Sequence, residues 1–176
     1  MAFSDPNSAQ NAATGLVAPH GWGTAVDASF NFLRGAKAGC HLTSVVGTSV
    51  NGSDIVLPWA TELYDVNGCH DNVTNNSRIT VPSGWGGLWL LGASIRTTGG
   101  GGSPTQIYIG LNGGSRPAHV TSSSNSTIAD VQTCLQVIVV LAVGDYVETW
   151  VTGTAGQTRS TAVASRFYAH WLYSGS

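Results

Sequence analysis

Two adjacent pairs, Cys40-His41 and Cys69-His70, are the residues of this chain best suited by type to metal-ligating or nucleophilic work. Thiolates and imidazoles are the usual ligands of zinc. The spacing works against that use, because neighbours in a strand point to opposite faces and neither a C-x-x-C nor an H-x-x-x-H pair occurs. Carboxylates offer a second possibility in Asp54, Glu62, Asp65 and Asp71. Only nine Asp and Glu exist, and none repeats at the one-three-five spacing of a dedicated calcium loop. Serine, histidine and aspartate are present without a G-x-S-x-G elbow or an evident pair of catalytic carboxylates. The expectation is a protein that is not an enzyme, with no catalytic residue, cofactor or metal.

The elements that hold these residues are strands. Trp59, Thr61 and Leu63 alternate with Ala60, Glu62 and Tyr64 up to an Asn67-Gly68 turn, and Ile79 and Val81 alternate up to Pro82-Ser83-Gly84. The run from Trp85 to Ile95 is too apolar for a half-exposed strand and too rich in glycine for a helix, so it predicts a strand buried on both sides. In all, strands are predicted over 42–50, 54–65, 78–81, 86–97, 105–111, 117–121, 129–143, 145–153 and 162–173. Turn residues fill the gaps between them, among them Asn51-Gly52, Asn112-Gly113-Gly114 and Gly144-Asp145. Eight or nine strands in the stretch from Cys40 onward make a double-sheet sandwich, for which a jelly roll is the common closed solution.

Residues 1–38 differ from the rest. After a polar start and the cluster Pro19-His20-Gly21-Trp22-Gly23, Val26, Phe30 and Leu33 follow at helical spacing until Gly35. This segment reads as an attachment arm, with Trp22, Phe30 and Leu33 as its candidate docking residues and residues 39–176 as the folded domain.

Composition narrows the function. The 176 residues suit one domain with a short extension. Charged residues are 9% of the chain, whereas 23 glycines, 19 serines and 18 threonines give a surface of hydroxyls and backbone. One lysine, six arginines and a net charge of -2 leave no basic field for nucleic acid or anionic lipid. The longest apolar run, around 137–143, has strand length, so no membrane insertion is expected. The first ten residues lack the basic and apolar regions of a secretory signal, and three cysteines show no framework of bridges, so three reduced thiols made in a cytosol are expected. The six tryptophans suit core and interface packing better than a sugar-stacking platform, with Trp22 set apart in the arm.

An ordered set of motifs carries a resemblance over about residues 40–173. It comprises Trp59 with Tyr64-Asp65, Asn67-Gly68 and His70-Asp71; Asn76-Ser77-Arg78 with Ile79-Thr80-Val81-Pro82; Gly87 to Ile95; Ile107 to Asn112-Gly113; Leu141 to Glu148; and Ser165-Arg166-Phe167 with Trp171-Leu172. In these the chain resembles the C1q/TNF-like jelly roll in the form encoded by tailed bacteriophages, although Trp85 and Trp89 stand where many relatives carry smaller residues. The resemblance implies an all-β sandwich forming compact homotrimers, with His70-Asp71 serving loop geometry. The strand around Val137, Ile138, Val139 and Val140 has no polar face and needs a cover on each side. With Trp89 these residues are the candidate trimer interface.

The function so implied is a virion surface protein, made in the host cytoplasm and fixed to the major capsid protein or a tail protein as a capsid decoration protein or head fibre. The alternative is a tail-tip adhesin whose loops at 97–104 and 115–128 recognise a host surface receptor, a glycan or a protein.

Overall fold

The computed structural model describes residues 37–43, 48–50, 52–99, 105–122, 130–153, 159–161 and 164–174. The chain divides into Met1–Ala36 and Lys37–Ser176, and the expectations placed on Trp22, Phe30, Leu33 and the helix near them lie outside the described residues.

The described part of Lys37–Ser176 is two antiparallel sheets and contains no helix. In chain order the strands are β1 (Gly39–Thr43), β2 (Ser49–Val50), β3 (Ile55–Val56), β4 (Thr61–Val66), β5 (Arg78–Thr80), β6 (Gly87–Thr98), β7 (Thr105–Leu111), β8 (Ser115–Ser122), β9 (Asp130–Leu141), β10 (Tyr146–Thr152), β11 (Arg159–Thr161) and β12 (Arg166–Tyr173). One sheet has seven strands in the order β2-β11-β6-β12-β1-β4, with β9 on the other side of β6. The other has five, β3-β10-β7-β8, with β5 also on β10.

The core lies between the sheets and is built by alternation. From β6 come Trp89, Leu91 and Ile95, from β12 Phe167, from β7 Ile107 and Ile109, and from β10 Val147 and Val151, all essentially inaccessible to solvent. Each such side chain stabilises the fold by about 1.5–3 kcal/mol relative to exposure. Trp59 locks the layers together, with its ring 5.8 Å from that of Phe167 and its indole N–H donating to Thr149 Oγ1 at 2.9 Å.

Two predicted strands are each divided. The stretch expected as 54–65 becomes β3 in the five-stranded sheet and β4 in the seven-stranded one. Pro58 sits at the crossing, where it has no N–H to give a ladder and where the chain changes layers. The stretch 42–50 likewise becomes β1, paired with β12 and β4, and β2, paired with β11. The expected turns at Asn67-Gly68 and Asn112-Gly113 form with positive φ at both residues of each pair.

Candidate functional site: the outer face of the seven-stranded sheet

Side chains that point away from the core on the seven-stranded sheet line up in cross-strand rows fixed by register. One row runs Tyr64, His41, Tyr168, Gly92 and Gln136 across β4, β1, β12, β6 and β9. The next runs Val66, Gly39, His170, Leu90 and Ile138 across the same strands, and beyond it Leu88 stands opposite Val140. The face is therefore aromatic over β4, β1 and β12 and aliphatic where β6 meets β9.

The two glycines make room for the rings beside them. A Cβ on Gly92 would collide with the phenol of Tyr168, and one on Gly39 would stand 3.0 Å from Nδ1 of His170. Tyr168 thus lies across the β6 backbone and accepts a hydrogen bond at its hydroxyl from Gln136 Nε2. Four rings form a continuous cluster: His41 stands 6.0 Å from Tyr64 and 5.7 Å from Tyr168, and His170 stands 5.9 Å from Tyr64 and 5.7 Å from Tyr168. Tyr64 Oη and His170 Nε2 share a hydrogen bond at 3.0 Å. His41 Nε2 is buried with no hydrogen-bond partner among the described residues.

Desolvation acts on both imidazoles. Burial, followed by the nearby charges of Arg166 and His170, lowers the pKa of His41, and burial lowers that of His170. Burial, with Cys40 behind it, raises that of Tyr64. Beside the cluster a hollow of about 340 Å³ is lined by Ala93, Ser94, Cys134, Leu135, Gln136 and Tyr168.

Of the residues expected at the trimer interface, alternation places only two on this face. Ile138 is 58% exposed and Val140 is 66% exposed. Val137 and Val139 turn the other way and pack against the core. Trp89 is directly opposite Val139 and is 0% exposed, with its indole N–H donating to the Trp85 carbonyl at 3.0 Å, so it belongs to the interior of its own subunit. The expectation for these three is corrected by the two-residue period of the strand.

Of the residues first considered for metal or acid–base chemistry, Asp65 and Asp71 shape loops and His70, Cys40 and Cys69 are held in the interior. Asp65 accepts the backbone N–H groups of Cys69 and His70, and Asp71 those of Val73 and Thr74. The His70 side chain is fully buried, with Nδ1 at 2.8 Å from Glu62 Oε1 and Nε2 at 3.2 Å from the Asn76 carbonyl oxygen. The Cys40 and Cys69 thiols meet in the interior, where contact with Cys69 and burial push the Cys40 thiol far up. Among the described residues no three His, Cys, Asp or Glu are placed to hold a metal ion. Tyr64, Tyr168, His41 and His170 were not anticipated as a group. The available signal was the alternation Arg166-x-Tyr168-x-His170-x-Leu172.

No protein-family model matches the sequence, and no curated protein does. Solved structures do match in shape. The globular domain of zebrafish complement 1qA protein superposes with a TM-score of 0.58 at 12% identity, over 80% of this chain and 100% of that one. Murine APRIL, in a crystal structure at pH 5.0, gives 0.59 at 14% identity over 78% of this chain and all of that one. Eiger TNF from S. frugiperda gives 0.58 at 16% identity over 80% of this chain and 95% of that one. The chain has the C1q/TNF jelly-roll fold.

Proposed function

We propose that this protein is a non-enzymatic, self-trimerising surface module of a tailed-phage virion, held to the particle through residues 1–38 and acting as a capsid decoration protein or head fibre. The observation that carries the self-association is the outer face of the seven-stranded sheet. There Ile138 and Val140 are exposed beside the half-buried Leu88 and Leu90, next to four ring side chains that share few charges. Covering such a face contributes the usual hydrophobic free energy, and the hollow beside Tyr168 gives a neighbouring side chain somewhere to enter. Three copies are preferred over two because the sequence motifs are those of the trimeric jelly rolls. The phage setting rests on the same motifs.

Native mass spectrometry of the full chain tests the assembly, and cryo-electron microscopy of the source particles tests the setting. A trimer on the capsid lattice bears out the proposal. A monomer at micromolar concentration overturns the assembly, and a trimer at the tail tip replaces decoration with host attachment.

A further inference from the structure

We infer that the outer face of the five-stranded sheet is a binding platform for a neutral glycan, with the Trp150 indole as its stacking surface. This face lies on the opposite side of the sandwich from the proposed seam, and the inference depends on neither the trimer nor the attachment segment.

Of the five tryptophans in the described part of the chain, Trp59, Trp89 and Trp171 are buried and Trp85 packs against the core with its ring 5.1 Å from that of Trp171. Trp150 is the one on an outer face. It stands opposite Tyr108 in the β7–β10 register, with the two rings 5.8 Å apart and within 9° of parallel. Its five-membered ring lies over Gly110, where an added Cβ would be 2.8 Å from the indole nitrogen. The missing side chain lets a large ring lie low on the sheet, and Trp150 is half-buried there where the core tryptophans are fully buried. Gly110, Gly113 and Gly114 continue the floor as a hollow of about 50 Å³ walled by Tyr108, Trp150 and Arg116. That space takes a hydroxyl or hydroxymethyl group and no whole ring, so a sugar would lie across the indole with one edge in the hollow.

The electrostatics select the ligand class. Each charged group here already has a partner of opposite sign or a dipole: Arg116 with Asp54 at 2.6 Å, Arg78 with Glu148 at 3.1 Å, and Asp145 with the Asn112 amide at 2.8 Å. The guanidinium of Arg116 lies 3.8 Å from the Tyr108 ring centre, and that of Arg78 lies 4.0 Å from the Tyr146 ring centre. Two arginines thus neutralise two of the three carboxylates, and among its described residues the face lacks the cluster of unpaired positive groups that an anionic ligand needs. It does present an electron-rich indole surface to weakly positive C–H groups, with fixed donors and acceptors around it. The axial C–H face and equatorial hydroxyls of an uncharged pyranose have that pattern. A shallow site of this kind binds weakly by itself, and repetition around an assembly would multiply its avidity.

The full chain should be titrated with cellohexaose, maltohexaose, chitohexaose and α-mannohexaose while the six indole N–H resonances are followed by NMR. The expected result is saturable binding of at least one oligosaccharide that shifts the Trp150 indole signal, an affinity loss of at least about tenfold in Trp150→Ala, and partial retention in Trp150→Phe. Binding by none of the four, binding that leaves the Trp150 signal unmoved, or binding of heparin oligosaccharide alone overturns the inference. The wild-type indole shift decides the matter even if Trp150→Ala fails to fold.

Discussion

His41 and His170 are two imidazoles whose neutral forms this fold favours. Their pKa values are depressed below the ordinary 6.5 chiefly by burial. As pH falls through 6.5, an unfolded chain takes up protons that the folded chain refuses, so stability is fully present above that value and declines below it. The groups facing them are Tyr64, Tyr168, Arg166 and each other, and no carboxylate stands among these ring contacts to hold an imidazolium. Asp54 and Asp71 are depressed too, but by hydrogen bonds to Thr152 and to the Val73 backbone N–H respectively, so their effect begins below 3.8 and is separable. The melting temperature of the wild type is expected to drop between pH 7.5 and 5.5, with a shallower slope in a His41→Gln, His170→Gln double variant. Equal slopes would show that the two rings are no more protected from protonation than in the unfolded chain.

At the scale of elements, strand alternation separates two kinds of apolar residue that look alike in the sequence. Ile138→Asp or Val140→Asp changes a residue exposed in the single subunit, so each variant should fold and yet sediment as a monomer, because assembly would bury three unpaired carboxylates. Trp89→Ala should do the reverse, costing the subunit about 3–5 kcal/mol through the cavity it leaves. Sedimentation velocity beside thermal melting distinguishes the two, and a trimeric Ile138→Asp would move the seam elsewhere.

The strands, the Asn-Gly turns and the double-sheet class were legible in the sequence because turn chemistry and apolar patterning are local signals. The Gly144-Asp145 turn is a further example, with Asp145 accepting the Ala142 N–H at 2.7 Å as its position suggests. The orientation within Val137 to Val140 was not legible, since a strand apolar on both faces carries no internal sign of which face meets the core. The ring cluster and the Trp150 platform were hidden for another reason. Each joins residues from strands distant in the chain, and each depends on a glycine, Gly92 or Gly110, whose significance appears only when a ring is found above it.

For the whole molecule, the three cysteines form a reporter of assembly. Cys40 and Cys69 are buried, while Cys134 is exposed and lies on the outer face of β9, two residues from Gln136 in the same hollow. Burial in the sandwich protects the first two in any folded subunit, and the contact with Cys69, together with burial, pushes the Cys40 thiol up, which removes the reactive thiolate. Assembly through the seven-stranded sheet would protect the third. Iodoacetamide at neutral pH followed by intact mass is therefore expected to modify no cysteine in the proposed wild-type trimer, one in a monomeric Ile138→Asp variant, and all three after unfolding. Rapid modification of Cys134 in an intact trimer would mean that this face is open in the assembly and that the subunits meet through another surface.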